Sequence, residues 1–86
     1  MANQQLNLTS LPIGQEAKVT AVRGSDQITR RLMEMGVVPG ALVRVIKSAP
    51  FGDPLEVRVR GYHLAMRKSE ADQITVLSEE HLLPQN

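Results

Sequence analysis

Chemistry needs side chains that take up a proton, hold a metal or attack a carbon, and this sequence offers few of them. It has no cysteine, which removes thiolate nucleophiles, disulfides and thiolate metal ligands together. Its two histidines, His63 and His81, stand eighteen residues apart, and neither has a neighbour spaced as the orienting group of a catalytic base. No His-x-x-x-His or Glu-x-x-His pattern exists to preorganise a metal site. The glycines occur singly, without the G-x-x-x-x-G-K-[ST] loop that cradles phosphates. Asp53 lies between Gly52 and Pro54, where an aspartate is expected to bond its own turn backbone. The expectation is a protein that is not an enzyme, with no cofactor and no metal site of its own.

What remains is surface. The net charge is +1, too small to imply a polyanionic partner by itself, but its distribution is uneven. From Arg44 to Lys68 there are six bases against two acids, whereas the last fifteen residues hold Asp72, Glu79 and Glu80 with no base. A basic face and an acidic end are therefore expected. Arg44, Lys47, Arg58, Arg60, Arg67 and Lys68 could track a phosphate backbone, and small barrels often bind nucleic acid. Stacking platforms need aromatics, however, and only Phe51 and Tyr62 are present. Nucleic-acid binding is thus the alternative to protein recognition.

For protein recognition, Ala49-Pro50-Phe51-Gly52-Asp53-Pro54 stands out. Its two prolines stiffen the loop, and a stiff loop loses less entropy on docking. Phe51 beside Asp53 is the natural anchor if it faces solvent; the opposite expectation is that Phe51 folds back to plug the end of a barrel. The candidate contact residues are Arg44, Lys47, Phe51, Asp53, Arg58 and Arg60. Arg30, Met33 and Glu34 form a second candidate surface on a helix.

The elements that must position these residues follow from periodicity. Leu8, Leu11 and Ile13 form a lead-in expected to cap one end of the core. Glu16 to Val22 alternates, with Ala17, Val19 and Ala21 on one face, which marks a half-buried strand. Ser25 is placed to cap a helix carrying Asp26 in its first turn, with Ile28, Leu32 and Met35 as one apolar stripe and Met33 off it. Gly36 suits the left-handed residue that closes a helix. Val38-Pro39-Gly40-Ala41 fits a type II turn. Leu42–Lys47 and Leu55–Arg60 read as strands, the second with Leu55, Val57 and Val59 inward. Tyr62–Arg67 reads as a strand too, Lys68–Ala71 as one helical turn, and Gln73–Leu77 as the closing strand. Five short strands with one inserted helix make a small closed barrel the economical fold, because closure hides sheet edges.

At 86 residues with 42% hydrophobic content the chain is one small domain, expected at residues 1–77 with a tail at 78–86. Its stability should be roughly 4 to 13 kcal/mol. The beginning lacks the pattern of a signal peptide and no segment has the length of an apolar span, so a cytoplasmic location is expected. The Leu82-Leu83 pair in the tail is free to pack on this chain or on a second copy.

Several stretches in order resemble the FeoA family: Arg31-Leu32-Met33-Glu34-Met35-Gly36-Val37-Val38-Pro39-Gly40, Pro50-Phe51-Gly52-Asp53-Pro54, Gly61-x-x-Leu64-Ala65-Met66-Arg67, and Ala71-x-x-Ile74-x-Val76. The resemblance spans about Leu8 to Val76. It implies an SH3-like barrel and a small cytoplasmic protein of bacterial ferrous iron uptake. It also implies a partner, the FeoB membrane iron transporter with its cytosolic GTPase domain, to which GTP chemistry would belong. With no room for the DNA-binding helices of metal-responsive repressors that carry the same domain, the chain is similar to the free-standing form.

Overall fold

The computed structural model describes residues 3–79; His81, the Leu82-Leu83 pair and the rest of the tail from residue 80 lie outside the described residues. In chain order the elements are β1 (Asn3–Asn7), a 3-10 turn (Leu8–Ser10), β2 (Glu16–Val22), α1 (Asp26–Glu34), β3 (Leu42–Ser48), β4 (Leu55–Val59), β5 (Tyr62–Met66), α2 (Lys68–Ala71) and β6 (Ile74–Glu79). The six strands form one antiparallel sheet in the order β1-β6-β2-β3-β4-β5.

The fold is mainly β, as the alternating strands require, but it has one strand more than expected. β1 runs through Asn3-Gln4-Gln5-Leu6-Asn7 and pairs with β6 from Asn3↔Glu79 to Asn7↔Thr75. Such a polar stretch carries no periodic signal; its hydrogen bonds come from a strand some seventy residues away in sequence. β6 in turn continues past Leu77 to Glu79, and Ser78 is fully buried, accepting a hydrogen bond from the Gln15 side chain. Closure is also less complete than expected. β1 and β5 stand at the two ends of the sheet, and among the described residues no ladder joins them. Each edge is only five residues long, which limits the unpaired backbone it presents.

The sheet curls round one aliphatic core. Leu55, Val57 and Val59 point inward as their alternation requires, with Ala17, Val19, Val43, Val45, Met66, Ile74 and Val76 against them. Register shifts at Val19/Ala21 and Val45/Lys47 bend the sheet. The second shift also resets alternation, so that Arg44 and Lys47, three apart, are both exposed. Leu8 and Leu11 are buried in the lead-in, but Ile13 is 60% exposed. It sits inside the turn closed by the Gln15 N–H donating to the Pro12 carbonyl, 3.1 Å, where side chains project outward.

The helix is specified at both ends by its own residues. Ser25 accepts a hydrogen bond from the Ile28 N–H at 3.3 Å. At the other end Gly36, with φ of 95°, completes a two-bond closure: the Val37 N–H donates to the Leu32 carbonyl and the Gly36 N–H to the Met33 carbonyl, both at 3.0 Å. Leu32 and Val37, the residues that such a closure brings together, are both fully buried. The Ala41 N–H then donates to the Val38 carbonyl at 2.9 Å, which makes Val38–Ala41 a tight turn with Gly40 at φ of 95°.

Candidate protein-interaction surface

β3 and β4 form a hairpin that carries five of the six candidate contact residues, divided between its two ends, and the sixth, Arg60, follows β4 in the turn to β5. At one end is the loop from Ala49 to Pro54. The Gly52 N–H donates to the Ala49 carbonyl at 2.7 Å and the Ala49 N–H to the Pro54 carbonyl at 3.0 Å. Asp53 does not bond its own turn as its sequence context suggests; its Oδ1 accepts from the Lys68 N–H at 2.9 Å, bolting the loop to the start of α2. Two backbone bonds and one side-chain bond therefore hold a six-residue loop whose tip is Phe51. That ring is 98% exposed, so it does not plug the barrel. Burial of a phenylalanine is worth about 2 kcal/mol, and within this chain Phe51 forgoes it.

Lys47 lies beside this loop and is already engaged, its Nζ 3.8 Å from Glu56. Glu56 also meets His63, whose Nδ1 lies 3.1 Å from the second carboxylate oxygen. His63 is thus a surface histidine beside a carboxylate on the neighbouring strand. No group of three or more potential metal ligands is assembled among the described residues.

Toward the other end lie Arg44 and Arg58, directly opposite each other across the β3–β4 ladder. Both are exposed, and among the described residues neither is in an ion pair. Four residues of strand, about 13 Å, separate Arg44 from Ser48 at the start of the loop, so the two groups of candidates do not form one compact spot.

Arg60, though exposed, also has a role within the chain that its sequence context does not suggest. With Gly61 it makes the two-residue β4–β5 turn, with φ of 52° and 89°, the left-handed pair that a tight hairpin requires. Its Nε donates to the Gly36 carbonyl at 3.3 Å, and the Tyr62 hydroxyl donates to the Met35 carbonyl. These two side chains satisfy carbonyls left open at the C-terminus of α1, where a cation is also favoured by the helix dipole. The arrangement needs Gly36: a Cβ there would lie 3.0 Å from Arg60 Cδ and 3.2 Å from the Tyr62 hydroxyl.

Leu42 belongs to the surface and is not among the candidates read from sequence. It is 51% exposed, and its signal was present in the alternation of Leu42 with Val43, Arg44 and Val45. On the helix, Arg30, Met33 and Glu34 do line a shallow depression together with Thr29, and Met33 is 42% exposed. That second surface is separate from the hairpin residues.

The family comparison agrees with this architecture. The FeoA domain profile matches residues 6–77. An Fe(2+) transport protein A/Fe(2+) transporter FeoB fusion protein of Porphyromonas gingivalis is 32% identical over 71 residues, which is 83% of this chain and 8% of that protein. The solution structure of a FeoA protein from Chlorobium tepidum superposes with a TM-score of 0.82 at 41% identity, over 94% of this chain and 74% of that one. A FeoA from Stenotrophomonas maltophilia complexed with zinc, described as a prokaryotic SH3 domain protein, gives 0.74 at 39% identity, over 83% and 88%. A manganese-dependent transcriptional repressor at 18% identity shares the fold, with a TM-score of 0.80. With the domain profile spanning residues 6–77 and solved FeoA structures superposing on the fold, the chain belongs to the FeoA family.

Proposed function

We propose that this protein is a non-enzymatic adaptor of ferrous iron uptake that binds the cytosolic part of a FeoB-type transporter. The observation that carries this reading is Phe51, 98% exposed at the tip of a loop fastened at Ala49, Pro54 and Asp53. A large apolar ring presented on a preordered loop loses little entropy on docking and gains its burial only in a complex. The relative in which one polypeptide joins transport protein A to FeoB supports the transporter as the partner, since fusion places the two at high effective concentration.

Around Phe51, Asp53 positions the loop, while Lys47, Arg44 and Arg58 supply positive charge to the same hairpin. Arg60 contributes by holding the β4–β5 turn on the helix end. The expected domain of residues 1–77 extends in this reading to the end of β6 at Glu79, because Ser78 is buried within that strand, and the protein works at the cytosolic face of the membrane through its partner. Its effect on transport is a shift in the transporter's conformational or nucleotide-state populations, which requires different affinities for the two states. The nucleic-acid alternative has less behind it. Tyr62 has its hydroxyl committed to Met35, leaving Phe51 without a second platform for successive bases.

The test is calorimetric titration of the transporter's cytosolic domain with the full chain and with a Phe51→Ala, Arg58→Ala double variant. Loss of about 30-fold or more in affinity, the scale of one interface anchor, is the expected result. Unchanged affinity in a folded double variant would remove the assignment.

A further inference from the structure

We infer that the cleft between the Pro39-Gly40 turn and the β4–β5 turn is a receptor for an acidic peptide segment that also carries an aliphatic side chain. The inference rests on the reading of the hairpin as a protein-binding face. It adds the chemistry of what that face recognises.

The cleft has a volume of about 550 Å³; Leu42, Arg44, Arg58 and Arg60 line it together with one acid, Glu16, and with Gly40, Ala41 and Gly61 at its sides, so three cations face a single carboxylate. Its first notable property is charge. Arg44 and Arg58 are cross-strand partners, with Cβ atoms about 5 Å apart and like charges facing. Their outer neighbours do not neutralise them: Glu16, opposite Arg44, forms no ion pair with it, and His63, opposite Arg58, is turned to Glu56. Elsewhere on this hairpin the charges that meet are opposite, as in Lys47 with Glu56. The pair is thus an exception on this hairpin, with Glu16 across the β2–β3 ladder as the one acid near it. Two neighbouring guanidinium groups form a matched receptor for carboxylate oxygens.

The second property is shape. Gly40 and Gly61 both have open space where a Cβ would stand, so another backbone can come close on either side. Leu42, 51% exposed, lies in the cleft with Arg44 two residues further along the strand. An inorganic anion would use the arginines and leave Leu42 unoccupied. A peptide with glutamate or aspartate next to leucine or isoleucine uses both, and this selects the acidic peptide over free phosphate.

The experiment is an NMR titration of the full ¹⁵N-labelled chain at fixed ionic strength with three probes: acetyl-Glu-Leu-Glu-amide, the matching Gln-Leu-Gln peptide, and inorganic phosphate. Saturable shifts at the amides of Gly40, Leu42, Arg44, Arg58 and Gly61 are expected with the acidic peptide. Binding should be about tenfold weaker for each of the other two probes, and about tenfold weaker for Arg44→Gln with the acidic peptide, the scale of one charge-assisted bond. Arg44→Lys, which keeps the charge and loses the fork, should fall between. Equal binding of phosphate or of the Gln-Leu-Gln peptide, or shifts centred elsewhere, would overturn the inference. The titration contains no transporter. Peptide capture in the cleft, combined with a transporter domain indifferent to the Phe51 and Arg58 changes, would leave the cleft standing and remove the transporter reading.

Discussion

The two ends of the β3–β4 hairpin solve opposite problems. Near the helix, every connection is made inward: Gly36 closes α1, and Arg60 and Tyr62 reach back to its last carbonyls. At the far end the same kind of fastening holds a loop in order to keep Phe51 out of the core. One end spends its polar contacts on stability, the other on presentation. The contrast teaches that order and burial are separable: a short loop can be rigid and still leave its largest apolar residue in water.

The contrast is most severely tested at Gly36. Gly36→Ala must adopt a left-handed backbone, which costs an alanine about 1–2 kcal/mol, and must also displace Arg60 or Tyr62. The expected melting temperature falls by about 10 °C, read by calorimetry. Tyr62→Phe removes one hydrogen bond and nothing else, so a loss of about 1 kcal/mol is expected in urea unfolding with an unchanged m-value. Asp53→Ala acts at the other end. It should lower stability by only about 0.5 kcal/mol, yet it should raise hydrogen exchange at Lys68, because that amide loses its acceptor. If Asp53→Ala proved as damaging as Gly36→Ala, the loop would be part of the structural frame and the distinction would fail. The smallest effect is expected from Arg44→Gln, which relieves the like-charge pair with Arg58. Stability should rise by a few tenths of a kcal/mol at low salt, and the gain should disappear as salt screens the pair.

Much of this is legible in the sequence. The Ser25 cap, the Gly36 stop and the Pro39-Gly40 turn are local devices, each written within four or five consecutive residues. The inward faces of β2 and β4 follow from alternation in the same way. Other features could not be read. β1 has one apolar residue, Leu6, and is a strand because β6 lies beside it. Ile13 looks like core by composition and is exposed because a turn carries it outward. Arg60 looks like one of a set of surface bases, but it is a brace on a helix twenty-four residues earlier in the chain. Asp53 has local turn chemistry around it and still finds its donor at Lys68.

The amino-acid order alone settled where the backbone changes direction, which faces of β2, β4 and β5 are apolar, and that no cysteine, nucleotide loop or spaced metal ligands are present. Those properties depend on a residue and its near neighbours, so they survive without a fold. The pairing of Arg44 with Arg58, the exposure of Phe51 and the clasp on Gly36 arose only when strands distant in sequence came together. They depend on register and curvature, and register is set by the bulges and turns acting jointly on the whole sheet.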